Sequence, residues 1–387
     1  MHVWQSSFDQ KAATLSRPVW AQDWVPQIWS FEASTLCVQR RRVDERDSEF
    51  MPIFMIIFVV AATCMLATGA AAHVNWFVEP GTEALPNYSL RDPVFLLWAW
   101  VAVALVGVSI WLDGKLPTLR VAQSKMRHDF MEILRVFTGM SFLLTAYEGA
   151  LVAPHKLATG GFGLSLLFLQ AVIGIMLIAN RWVKYAAMLM LALYAGVIFK
   201  FGLMSTLEYA IVPGIAMFLM FNAIETPSLR DKLKPYSVDA LRIWTGVSLV
   251  ALAIGEKLAP SALGQVFVAT YEWNFMEMLG FEIFQDRMFV LAAGMVELAI
   301  GMCLILGTTV RLAVLTLSIM MALSNIVFIL QDNKEAALVE FIGHMPIIGI
   351  ALLLLLLGYG QRLRITDYLP KTWVGARPEK PKLQEQA

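Results

Sequence analysis

The sequence predicts an all-α integral membrane protein of about ten transmembrane helices, built as two parallel-related four-helix bundles behind two N-terminal helices. Three observations predict it. The first is composition: 58% of the residues are hydrophobic and 16% charged, whereas a soluble domain carries about 25% charged residues. The second is a succession of apolar runs near the roughly 20 residues a helix needs to cross a hydrocarbon core. The third is an internal match between two halves of the chain. Equal numbers of basic and acidic residues, 30 each, remove any charge argument for nucleic-acid binding. Cys37, Cys64 and Cys303 are too widely spaced for a disulfide framework or a CxxC pair.

Residues 1–50 lack the basic start, apolar core and small-residue cleavage site of a signal peptide. They carry Trp4, Trp20, Trp24 and Trp29 among polar residues, and tryptophan favours the headgroup level. This stretch is expected to be a cytoplasmic tail lying on the membrane surface or on a partner. Residues 51–112 hold two spans, IFMIIFVVAATCMLATGAAA and PVFLLWAWVAVALVGVSIWL, neither of which contains a charge. Residues 131–224 form the first four-helix copy. Residues 238–358 form the second, with an external loop at 259–287, and 359–387 form a cytoplasmic tail. Basic residues set the orientation. With the N-terminus inside, 24 of the 30 Lys and Arg fall on the cytoplasmic side, which puts both termini in the cytoplasm and the chain in an inner membrane.

The two copies align on three segments. LRVFTGMSFLLTAYEGALVAP (134–154) matches LRIWTGVSLVALAIGEKLAP (241–260), and QAVIGIMLIANRWVKYA (170–186) matches ELAIGMCLILGTTVRLA (297–313). EYAIVPGIAMFLMF lies beside EFIGHMPIIGIALLLL. The offset grows from 107 to 127 between the first two matches, which places about 20 extra residues in the external loop of the second copy. Four helices per copy is an even number, so the copies run parallel about an axis along the membrane normal. They differ in polar content: Glu297 replaces Gln170, His344 replaces Ile211, and Glu148 and Glu256 stand one place apart.

Ionisable side chains inside a bilayer are costly, so they face protein or a cavity and mark functional sites by default. Glu297 lies about 15 Å into its helix and His344 about 9 Å below the external surface at 1.5 Å per residue. Glu256 stands near the external end of its helix. These three are the expected catalytic residues, a carboxylate–imidazole pocket that hydrogen-bonds and protonates a quinone. Ala293 and Gly301, four residues either side of Glu297, leave room for a planar ligand or a neighbouring helix. Glu148 would line a degenerate counterpart in the first copy. The competing structural reading is that these groups tie helices together. Arg135 and Arg242 read as interfacial anchors. Phe267, Tyr271 and Phe275 recur every four residues, which suits a short interfacial helix over the second bundle. No metal site is expected, because His344 is the one histidine inside a span and a bis-histidine haem needs two.

LRIWTGVSLVALAIGEKLAP, followed by AAGMVELAIGMCLILG, a basic turn and GHMPIIGIALLLLLLG, resembles the DoxX/DoxD-like family of four-helix membrane proteins. Glu256, Glu297 and Arg311 stand at the polar positions of that pattern. The resemblance covers 238–358 well and 131–224 faintly. It implies the four-helix unit and a place beside thiosulfate:quinone oxidoreductase or terminal-oxidase subunits. The expected function is then a multi-pass inner-membrane protein of a quinone-linked redox system, supplied with electrons by other membrane or redox subunits. Two other classes fit the same sequence: a non-catalytic anchoring or assembly subunit, and a proton-coupled small-solute transporter.

Overall fold

The computed structural model describes Phe77 and residues 87–116, 124–259, 263–357 and 361–369. The expected first span and the Trp-containing tail lie outside these residues. In hydrocarbon every backbone N–H and C=O must be satisfied within its own segment, and these apolar runs do so as helices. They are α1 (Pro93–Asp113), α2 (Ser124–Tyr147), α3 (Gly160–Ile178), α4 (Val183–Phe201), α5 (Leu203–Leu207), α6 (Ile211–Asn222) and α7 (Pro227–Leu233). There follow α8 (Ser237–Leu252), α9 (Leu263–Tyr271), α10 (Phe275–Met278), α11 (Asp286–Leu306), α12 (Val310–Leu330) and α13 (Lys334–Leu357). Among the described residues eight helical segments are long and apolar enough to cross a membrane, which fits a multi-pass membrane protein. The last helix of the first copy is shorter than expected. Gly202, at φ 87°, breaks the chain after α4, and the short α5 intervenes before the 12-residue α6.

Within each copy the first two helices pack closely, α2 on α3 and α8 on α11. The last helix of each copy lies against the first helix of the other, α6 on α8 and α13 on α2. α1 runs along α11. The same contacts recur at positions related by the sequence offsets. A Cβ on Gly139 would stand 2.9 Å from the Gly174 carbonyl oxygen, and one on Gly246 would stand 2.7 Å from that of Gly301. Arg135 donates to Ile178 O at 3.2 Å and Arg242 to Ile305 O at 2.8 Å. Arg135 pairs with Glu132 and Arg242 with Asp239, each one turn away. The turns that follow match as well: Asn180 and Trp182 in one, Gly307 and Thr309 in the other, all have positive φ.

Arg242 is no interfacial anchor. Its side chain is fully buried and donates to Asp239 Oδ1 at 3.0 Å, to the carbonyls of Leu304 and Ile305, and to Leu363 O at 2.6 Å. Asp239 in turn accepts the backbone N–H groups of Arg362 and Leu363 at 2.8 and 3.2 Å. Arg364 pairs with Asp113 at the end of α1, which also accepts from Thr309 N and Thr366 Oγ1, each at 3.1 Å. Buried charges survive only when paired and hydrogen-bonded. This set joins α1, α8, α11 and residues 361–369 at the lower end of the bundle. The opposite end carries residues 148–159 and 263–285.

The glycine pairs set how closely the helices approach. Gly246→Ala forces a Cβ against the Gly301 backbone, and overpacking of this kind costs about 1–3 kcal/mol. Gly107→Ala on α1 meets nothing within 4 Å and is expected to be neutral or stabilising by about 0.5–1 kcal/mol. Thermal unfolding in detergent measures both, and equal midpoints for the two variants would contradict the packing account.

Candidate functional site

The polar groups of the upper half begin at the end of α8. There the chain widens into a π turn over Ala253–Leu258, a rare form that often marks functional positions. Glu256 and Lys257 lie in it. Glu256 is buried at 2% exposure. Lys257 extends toward α11 past Gly294, where a Cβ would come within 2.8 Å of the lysine Cβ. Its ammonium reaches Glu297 Oε2 at 2.7 Å and Glu256 Oε2 at 3.1 Å. One base thus serves two acids, and a single proton completes the neutralisation of the set.

His344 is buried on α13. Its Nδ1 is 3.5 Å from Glu340 Oε1, one turn earlier, and Glu340 Oε1 accepts from Ser324 Oγ of α12 at 3.0 Å. The structure therefore joins Glu256 and Glu297 through Lys257 and sets His344 with Glu340 and Ser324. Ala293 is half-buried one turn from Glu297. The space beside Gly301 is filled by Gly246 and Val250 of α8, so there a helix takes the close approach. Glu148 is exposed just beyond the end of α2.

In the first copy the counterpart of Glu297 is a pin. The Gln170 amide donates to Phe142 O, Thr145 Oγ1 and Ala150 O at 2.8–3.2 Å, and its Oε1 accepts from Val152 N at 2.8 Å. This fixes the loop after α2, which carries His155 and Lys156. Lys156 is 1% exposed. Its ammonium donates to Ser205 O at 2.8 Å and to Ser205 Oγ at 2.6 Å, and lies 3.2 Å from Glu208 Oε1. His155 Nε2 is 3.5 Å from the same oxygen. Glu208, 3% exposed, sits in the turn between α5 and α6, outside the spanning helices.

Burial, helped by the Lys156 charge and opposed by Glu256, pushes His155 down to about 4. Burial also raises the Glu208 carboxyl; the Lys156 charge opposes this and the Glu256 charge adds to it. Burial lowers Lys156, against the attraction of Glu208.

Glu208 and Glu340 escaped the sequence reading, although they open the two matched segments EYAIVPG and EFIGHMP within one alignment place of each other. Lys156 reads in sequence only as one external basic residue. The loop that inserts it among buried groups is a tertiary feature.

The short α9 lies on the π turn: a Cβ on Gly264 would meet Glu256 O at 3.2 Å and Val290 Cγ1 at 2.8 Å. Phe267 and Tyr271 pack with Phe77 and Phe328. The expected helix ends earlier than its aromatic spacing suggests. Glu272 turns at φ 49°, and Phe275 begins α10 against Phe289, ring centroids 4.9 Å apart. A shallow depression beside Lys257, too tight to hold a water molecule, is lined by Tyr88, Phe95, Arg287 and Leu291. Among the described residues no three His, Cys, Asp or Glu gather as a metal site. Comparison with protein-family models, with curated proteins and with solved structures finds no match.

Lys257→Met leaves two carboxylates without their shared counter-ion. Breaking a buried pair of this kind costs about 3–5 kcal/mol. The double variant Lys257→Met/Glu297→Gln is expected to recover most of that loss in thermal unfolding; no recovery would show that the pair is not what Lys257 holds. His155 supplies a pH dependence. Its folded pKa lies below the unfolded value of 6.5, so the unfolded chain binds more protons as pH falls from about 6.5 to about 4. Stability drops over that window, by up to about 3 kcal/mol at 1.36 kcal/mol per unit. His155→Gln should flatten this part of the unfolding profile.

Proposed function

We propose that the chain is a DoxX/DoxD-like inner-membrane protein of a quinone-linked redox system. In this reading both termini are cytoplasmic, residues 131–224 and 238–358 are parallel-related copies, and other membrane subunits supply electrons. The observation that carries it is the Lys257 ammonium held between Glu256 and Glu297, with His344 beside them in the upper half of the bundle. Intramembrane carboxylates and imidazoles in such a set are the groups that exchange protons with a membrane-soluble partner.

A quinone supplies two carbonyl oxygens that each take a proton on two-electron reduction. Lys257 is the hydrogen-bond donor suited to a carbonyl oxygen that gains negative charge. Glu297, 15% exposed at its side chain, is the general acid at that end. His344 is the second, held by Glu340, which Ser324 orients. General acids of this kind contribute about 10²–10⁴-fold. The Gly301 face is taken by α8, so the ligand approaches Glu297 from the Lys257 side.

Proton-coupled solute transport is a second reading. It is favoured by a different observation, the further buried set of Lys156, Glu208 and His155 close to Glu256.

Lipid extraction of protein purified from native membranes is expected to yield quinone in stoichiometric amount. Glu297→Gln is expected to lower quinone turnover about 10²-fold. Absence of quinone together with unchanged turnover in that variant would overturn the redox reading. Proton-driven solute flux in vesicles in that case would favour transport.

A further inference from the structure

Helix ends leave carbonyls without an intrahelical donor, and the π turn that carries Lys257 ends among polar side chains. Its last backbone bond runs from Ala259 N to Ile254 O at 2.7 Å. The carbonyls of Lys257 and Ala259 are met from another part of the chain. Asn87, which precedes α1, donates its side-chain amide to Lys257 O at 3.2 Å and also to Ala259 O. Carbonyls only accept, so the atom facing them is Nδ2. Asn87 Oδ1 is left to accept from Gln265 Nε2 of α9 at 2.5 Å. Gln265 is itself buried. The Arg287 guanidinium of α11 donates to Asn87 O at 3.3 Å and lies 3.9 Å from the centre of the Tyr88 ring. Asn87 is thus held by α9 and α11 with its amide nitrogen aimed at the end of the π turn.

The first copy meets the same need from within its own bundle. There the Gln170 amide donates to Phe142 O at 3.1 Å and to Ala150 O at 3.2 Å. Ala150 matches Lys257 within one alignment place, and Gln170 matches Glu297. An ionised carboxylate has no N–H to give. Glu297 instead accepts from the Lys257 ammonium at 2.7 Å. The amide lost at that position has its equivalent in Asn87.

We propose that Asn87 is a positioning residue of the Lys257–Glu297 pair. Its amide takes the carbonyl-binding role that Gln170 has in the first copy, which frees position 297 to carry a carboxylate. By holding Lys257 O and Ala259 O it fixes the π turn, and with it the direction in which the Lys257 side chain leaves toward α11. The segment ahead of α1 is then a working part of the candidate site, and the second four-helix unit is incomplete without it. This rests on the reading of Lys257 and Glu297 as the working pair, but not on which molecule the pair serves.

The experiment is hydrogen–deuterium exchange of the full chain in lipid nanodiscs, stripped of extractable quinone and read peptide by peptide by mass spectrometry. Asn87→Leu keeps the size of the side chain and removes its N–H donors. It is expected to speed exchange in peptides covering 253–259 about tenfold, the scale of one lost buried hydrogen bond, and to leave α2 and α3 unchanged. Acylation of Lys257 by a water-soluble amine reagent is expected to rise with it. Adding Glu297→Gln restores an amide at the matched position and is expected to return exchange over 253–259 most of the way to wild type. If Asn87→Leu fails to fold, Gln265→Leu releases the Asn87 amide without removing it. That variant is expected to give a smaller rise over the same peptides, again relieved by Glu297→Gln. Exchange that rises equally in every helix or in none, or Lys257 acylation that stays the same, would overturn the positioning role. Absence of relief by Glu297→Gln would overturn the equivalence with Gln170. Because the protein is stripped, these results are readable whether or not it binds quinone.

Discussion

A charge removed from water must find a partner, and in this chain the partners come from other helices. Lys257 reaches forward from the π turn to Glu297 on α11 as well as sideways to Glu256. An isolated ion moved into an apolar interior loses several kcal/mol of solvation even after relaxation, and only close, well-directed contacts return it. That requirement fixes the rotation of α8 against α11 at the upper end. At the lower end Arg242 and Asp239 impose the same condition and bring residues 361–369 into the arrangement. Helices whose outer faces see only apolar surroundings have little else to set their rotation, because lipid tails are as apolar as leucine.

Between these two polar ends the helices are held by shape. Gly246 and Gly301 let α8 and α11 approach until backbone meets backbone, and Gly139 and Gly174 do the same for α2 and α3. Small residues have this role wherever packing, not hydrophobic burial, drives helix association. The pairing of like contacts at like offsets gives the sequence duplication a physical content. What was retained between the copies is the glycine contact, the arginine reaching the next helix's carbonyl and the left-handed turn. What diverged is the chemistry: Gln170 closes four hydrogen bonds around a loop, while Glu297 holds a charge.

Glu256, Glu297 and His344 stand out in sequence because a carboxylate or imidazole inside an apolar run contrasts with its neighbours. Glu208 and Glu340 were not singled out, since each lies at the edge of an apolar run where a charge reads as solvated. The π turn was also invisible. It is a one-residue change in hydrogen-bond pattern within a sequence, AIGEKL, that reads as ordinary helix. At Gly301, read in sequence as room for a planar ligand or a neighbouring helix, α8 takes the space.

By itself the sequence determined an all-helical, multi-pass character and which ionisable residues fall within apolar runs, because hydropathy and the cost of buried charge are local properties. Which charges meet was decided only by the tertiary structure. Lys156 with Glu208, Lys257 with Glu297 across 40 residues, and Arg242 with Leu363 across 121 are contacts between segments far apart in the chain. Their formation depends on helix rotation and loop path, which no local pattern specifies.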